Sequence, residues 1–144
     1  MEARRLNYLA IAAATVVAFI EGSLYYSPLM FGPLWMRLSG MDASAAAKIS
    51  PWAVVAEIAR GFVLTYVVAR LVARLTDANW RSATGLGLWL WVGFPVMLLS
   101  GSVMWQGVSW KIAAIHAGDW LVKLLLISAI VGTWAVKRTP AAVQ

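Results

Sequence analysis

The 144-residue chain is 62% hydrophobic and only 12% charged, and its formal net charge is +6. A soluble domain is about half apolar and about a quarter charged, so this composition excludes a soluble globular enzyme, a disordered chain and a typical nucleic-acid binder, while the length fits one domain. The absence of cysteine excludes disulfides, a thiol nucleophile, iron–sulfur ligation and a CxxC redox site.

A helix needs roughly 20 mostly apolar residues to cross a bilayer. Four stretches qualify, at about residues 6–29, 51–75, 83–105 and 112–136, with an outer loop at 30–50. The expected fold is therefore all-α, an integral four-transmembrane-helix bundle in a single membrane domain. Pro28 and Pro33 close the first span. Its apolar run is too long for a signal peptide and ends without a small-x-small cleavage site. Ala10, Ala12, Ala13, Ala14 and Ala18 suit close helix packing instead. Residues 42–48 suit a short interfacial helix. Ser50-Pro51 opens the second span as a cap followed by a first-turn proline. Asp77-Ala78-Asn79 breaks the chain before the third span, where Gly93 and Pro95 suit a kink. Residues 106–109 form a tight turn before the fourth.

Basic residues set the orientation. One side carries Arg4, Arg5, Arg74, Arg81, Lys137 and Arg138, six in all; the other carries Arg37, Lys48 and Lys111, three. Both termini are thus expected in the cytoplasm, with Arg70 snorkelling to the same interface as Arg74. A bacterial inner membrane is the expected location. Trp35, Trp52, Trp80, Trp105, Trp110 and Trp134 fall near span ends, where an aromatic belt accounts for them.

Six ionisable residues lie inside the spans: Glu21, Glu57, Arg60, His116, Asp119 and Lys123. A charge at mid-bilayer costs roughly 2.5–3.5 kcal/mol on insertion scales, which makes such residues functional candidates. At about 1.5 Å rise per residue, Glu21, Glu57, Arg60, His116 and Asp119 all fall in the outer half and Lys123 near the middle. Ser100, Ser102 and Gln106 of the third span reach a similar depth. This places a pocket in the outer half, sealed below by apolar packing. Spacing of three or four residues puts His116, Asp119 and Lys123 on one helical stripe and Glu57 with Arg60 on another.

Glu57 can pair with Arg60 and Asp119 with Lys123, and such pairs can be purely architectural. Glu21 and His116 have no partner on their own helices. An unpaired carboxyl in an apolar wall keeps its proton, which makes Glu21 the leading candidate acid; His116 beside Asp119 is a candidate oriented base, or a hydrogen-bonded packing residue. The expected catalytic set is Glu21, Glu57, His116 and Asp119. The expected ligand-binding set is Tyr25, Tyr26, Arg60, Trp89, Ser100, Gln106, Trp120 and Lys123, although Tyr25 and Tyr26 serve equally as interface anchors and Trp89-Leu90-Trp91 as aromatic bulk. Carboxylate and imidazole ligands from three helices could hold a metal, but Arg60 and Lys123 would repel it, and no metal or cofactor is expected. Gly85-Leu86-Gly87 lacks the spacing of a phosphate loop.

The first span and its exit carry Asn7-Tyr8-Leu9-Ala10, Gly22-Ser23-Leu24-Tyr25-Tyr26-Ser27-Pro28, Phe31-Gly32 and Trp35-Met36. Further along stand Trp91-Val92-Gly93-Phe94, Gly107-Val108-Ser109-Trp110-Lys111, Ala117-Gly118 and Trp120-Leu121-Val122. With these the chain resembles a bacterial family known as domain of unknown function 1761. The resemblance implies a four-helix membrane fold with no assigned activity. The family pattern has no acids where Glu21, Glu57 and Asp119 stand, so the chain differs from it at the candidate site.

Three functions compete. One is an enzyme on a small lipophilic substrate, by isomerisation, epoxide opening or cyclisation with carboxyl and imidazole groups as acid and base. The second is an accessory subunit or assembly factor, as a homo-oligomer or within a larger membrane complex. The third is a small proton-coupled multidrug-type transporter, which needs access from both sides.

Overall fold

The structure, a computed structural model, describes residues 6–41, 44 and 50–134. The described residues form five helices and no strand: α1 (Tyr8–Tyr25), α2 (Gly32–Ser39), α3 (Pro51–Val72), α4 (Trp80–Gln106) and α5 (Trp110–Thr133). Four of them, α1, α3, α4 and α5, are long and apolar enough to cross a membrane, the property of a multi-pass membrane protein. Arg4, Arg5, Lys48, Lys137, Arg138, the interfacial helix expected over residues 42–48 apart from residue 44, and the last residues of the fourth span lie outside the described residues.

Local chemistry sets the helix ends. Asn7 caps α1, its side-chain oxygen accepting from the Leu9 and Ala10 amides at 3.1 and 3.2 Å. The same side chain donates to the Trp134 carbonyl at 3.3 Å, which ties the start of α1 to the end of α5. Asn79 and Ser82 form a reciprocal capping box that starts α4 at Trp80, three residues before the expected boundary. Ser109 caps α5 through the Lys111 amide at 3.3 Å. Ser50 does precede a proline at the start of α3, but its side chain makes no cap bond. Gly40 and Gly107 end their helices at φ +64° and +69°, in the left-handed region that glycine alone enters without strain.

Two expectations are corrected here. The segment assigned to an outer loop contains helix α2, and Pro33 opens this helix instead of closing the first span. The kink expected at Gly93 and Pro95 takes the form of a π turn over Val92–Val96 with Pro95 buried inside α4. Proline has no N–H to donate, and the wider π turn accommodates it.

Helix α5 is the centre of the bundle and touches every other helix. The buried core gathers at the end where α1 begins and α5 finishes: Ile11 and Ala14 of α1, Val68 and Val72 of α3, Ala83 of α4, and Leu124, Ile127 and Val131 of α5. Small residues let α4 lie close on α5. A Cβ on Gly87 would sit 2.5 Å from Ser128 Oγ, and one on Gly132 would sit 2.5 Å from Ala83 Cβ and 2.7 Å from the Asn79 carbonyl oxygen. Close backbone approach of this kind is how membrane helices gain packing contact without a hydrophobic driving force between them. Of the five alanines expected to pack α1, Ala10, Ala14 and Ala18 are buried, Ala13 is partly buried and Ala12 is exposed.

Candidate functional site

The opposite end of the bundle, where α1 stops and α3 and α5 start, is not filled. It holds a cavity of about 1070 Å³. Ala18, Phe19, Gly22, Ser23 and Tyr26 contribute from α1 and its C-cap, and Trp35 from α2. Glu57, Ala59, Arg60, Gly61, Val63, Leu64 and Val67 line it from α3, and His116, Asp119, Trp120 and Lys123 from α5. Helix α4 supplies no lining residue.

The turn after α1 builds one wall. The Phe31 amide donates to the Tyr25 carbonyl at 3.0 Å and the Gly32 amide to the Ser27 carbonyl at 3.2 Å. These bonds fold α2 back over the end of α1. A side chain on Gly32 would strike the Tyr26 carbonyl oxygen, which fixes glycine at this crossing. Phe31 then stacks on Tyr25 with ring centroids 4.7 Å apart, and Trp35 meets the Tyr26 ring edge-on at 5.6 Å. Tyr25 is 7% exposed and donates its hydroxyl to the Ile115 carbonyl at 3.0 Å. Its hydroxyl fills the space over Gly118, where any Cβ would collide with it.

Two polar groupings line the cavity beside this wall. The first is Tyr26 with His116, hydroxyl to Nδ1 at 2.7 Å. The second is Lys123 with Asp119, the ammonium reaching both carboxylate oxygens at 3.1 and 3.2 Å. Both are α5 residues one helical turn apart, and the Asp119 and Lys123 side chains are 9% and 13% exposed. Glu21 approaches the same ammonium from α1 at 3.8 Å. Both of its carboxylate oxygens are buried and accept no hydrogen bond. On the α3 side, Arg60 donates to Glu57 at 2.7 Å, with side chains 70% and 47% exposed.

The structure therefore brings together Glu57, His116, Asp119, Tyr26, Arg60, Trp120 and Lys123 of the residues singled out from sequence. It separates five others. Glu21 lies behind the wall and does not line the cavity, and its partner is Lys123 from another helix. Tyr25 is spent on packing. Trp89 is 75% exposed and faces away. Ser100 and Gln106 are exposed on the last stretch of α4, Met97–Gln106, which buries nothing, and the Ser100 hydroxyl returns to the Met97 carbonyl at 2.8 Å. Depth along a span does not fix the direction a residue faces, and α4 packs on a different side of α5. Trp91 shows that side: its indole N–H donates to the Ala117 carbonyl at 2.8 Å. Sequence reasoning missed Phe19, Gly22 and Ser23, although they repeat at helical spacing with Tyr26, and it placed Trp35 in the aromatic belt. Among the described residues no three His, Asp or Glu side chains converge as a metal set.

The sequence pattern of a family of proteins of unknown function, DUF1761, matches residues 9–132. The chain belongs to this family. The matched region of this DUF1761 member runs from the first turn of α1 to the last turn of α5 and includes every lining residue of the cavity. The motif Tyr26-Ser27-Pro28 with Phe31-Gly32 and Trp35 is the turn that folds α2 over the cavity. No curated protein and no solved structure matches the chain.

Proposed function

We propose that this DUF1761 member is a multi-pass membrane protein whose cavity binds a small lipophilic molecule by its polar end and performs acid–base chemistry there. One observation carries the reading: the cavity is two-faced. Ala18, Phe19, Val63, Leu64 and Val67 offer hydrocarbon, while Tyr26, His116, Asp119 and Lys123 offer hydrogen bonds and charge on the α5 side. Ligand sites combine a mostly apolar lining with a few placed polar groups in about 300–1,000 Å³, and this cavity, at about 1070 Å³, is just above that range. Val63 and Val67 are 60% and 47% exposed, so the α3 wall offers a lateral entrance from lipid.

His116 is the group best placed to exchange a proton with a ligand. Its Nδ1 is held by Tyr26, which orients the ring and leaves Nε2 for the cavity, the arrangement of an oriented acid–base imidazole. Asp119 and Lys123 neutralise each other one turn away and supply a fixed field. Glu21, behind the wall, approaches the same Lys123 ammonium at 3.8 Å. The core across the other end favours a one-ended pocket over a two-sided transport path. The basic-residue asymmetry supports cytoplasmic termini and a cavity in the outer half of a bacterial inner membrane.

The test is deuterium exchange. The protein in lipid nanodiscs is incubated in D2O with 2-undecanone, a lipophilic ketone, and label at the carbons beside the carbonyl is followed by mass spectrometry. Incorporation above that of empty nanodiscs, lost in His116→Ala, is expected. Incorporation equal to empty nanodiscs overturns the acid–base reading.

A further inference from the structure

The hydrogen-bonding capacity left open on the cavity wall is lopsided. Every cavity-facing carboxylate already receives an N–H donor, Glu57 from Arg60 at 2.7 Å and Asp119 from Lys123 at 3.1 and 3.2 Å. The cavity-lining groups left without any partner among the described residues are donors. Tyr26 has no other acceptor among the described residues, so its hydroxyl proton is satisfied only if it donates to His116 Nδ1. That assignment puts the neutral imidazole proton on Nε2. Trp35 and Trp120 line the cavity, and neither indole N–H has a partner among the described residues. Trp91, in contrast, spends its N–H on a backbone carbonyl. Half-buried indoles ordinarily find a partner, and a donor without one in a hydrocarbon setting is costly.

Charge narrows the ligand further. Two carboxylates, Glu57 and Asp119, and two cations, Arg60 and Lys123, line the cavity, and each carboxylate is paired with a cation. An anionic head would have to compete with a carboxylate for a cation that is already paired. A cationic head would have to displace an ammonium or guanidinium from its carboxylate. Resting on the binding reading above, we propose that the cavity selects an uncharged lipophile whose polar end is built of carbonyl oxygens, as in a quinone ring or a glycerol ester. Its oxygens accept from His116 Nε2 and from the indoles of Trp35 and Trp120, and its apolar body lies along α3.

The experiment uses the intrinsic tryptophan fluorescence of the full chain in nanodiscs, titrated with decylubiquinone. A saturable quenching component above linear partitioning is expected. His116→Ala should weaken it about fivefold or more, and Trp120→Phe, which keeps an aromatic ring but removes the N–H, should weaken it without unfolding the protein, checked by circular dichroism. Dioctanoylglycerol, dodecanoate and dodecyltrimethylammonium serve as competitors. Displacement by dioctanoylglycerol assigns the ester form of the same carbonyl chemistry, and no displacement assigns the quinone form. The proposal is overturned if dodecanoate or dodecyltrimethylammonium competes as well as decylubiquinone dilutes itself, or if both variants bind unchanged. Either result leaves the acid–base reading standing where 2-undecanone still exchanges. The absence of saturable binding by any of the four probes, together with no exchange, removes both.

Discussion

Replacing Lys123 with methionine removes a cation that serves two carboxyls. The side chain keeps most of its length and apolar stem, so packing against Trp120 changes little and the loss is electrostatic. Lys123 is 13% exposed, and it holds Asp119 at 3.1 Å and Glu21 at 3.8 Å. Removing one partner of a buried ion pair costs about 3–5 kcal/mol, because the charge left behind is uncompensated. The expected loss for Lys123→Met is at least about 3 kcal/mol by the same principle. The contrast is Arg60→Met, whose pair with Glu57 is largely exposed and belongs to the class worth about 0–1 kcal/mol. Both are measured by reversible unfolding in mixed micelles, raising the mole fraction of sodium dodecyl sulfate and following helicity by circular dichroism. A triple variant, Lys123→Met with Asp119→Asn and Glu21→Gln, removes the stranded carboxylates and should recover at least half of the loss. A cost for Lys123→Met below about 1 kcal/mol, no larger than that of an exposed pair, would refute the idea that Glu21 and Asp119 depend on this ammonium.

Gly118→Ala drives a methyl group into the Tyr25 hydroxyl; a loss of about 1–3 kcal/mol is expected for such overpacking, and Tyr25→Phe in the same chain should return part of it in the same unfolding assay. Gly132→Ala meets Ala83 Cβ at 2.5 Å and the Asn79 carbonyl at 2.7 Å and should cost a similar amount, while Gly85→Ala meets nothing within 4 Å and should be neutral or stabilising by up to about 1 kcal/mol from helix propensity. Equal thermal shifts for the two would show that the α4–α5 approach is not tight. The chain has no cysteine, so single cysteines report topology cleanly: Ser39→Cys should react with an impermeant maleimide on intact cells, and Asp77→Cys only after permeabilisation, the reverse pattern overturning the orientation.

Hydrophobic runs made the four spans legible, because a bilayer demands one long apolar helix per crossing. Their ends were harder to read. In the sequence Asn79 reads as a break, yet with Ser82 it is the cap of α4, and Pro33 reads as a stop although proline is at home in a first helical turn. The depth of the polar residues was legible too, since it follows from counting along a helix. Rotation about the helix axis was not. Lys123 turns Glu21 from an unpartnered acid into a buried ion-pair member, and Tyr26 gives His116 its partner; both contacts join helices far apart in sequence. The same gap explains Ser100 and Gln106, which lie at a suitable height but belong to a helix that meets α5 elsewhere.

The π turn at Val92–Val96 has a bearing on how α4 can vary. A π turn accommodates one residue more than the α-helical turn it replaces, and one residue corresponds to about 100° of rotation in a helix of 3.6 residues per turn. Deleting a single residue from this turn would let α4 continue as a regular helix while Trp80–Trp91 keeps its seat on α5. Everything from Met97 to Gln106 would then swing by about a quarter of a circle. The now exposed row of Met97, Leu98, Met104 and Trp105 would present itself in a new direction, with no change in the composition of the helix. Phase, set by one residue beside Pro95, is thus separable from the sequence of the segment that it orients.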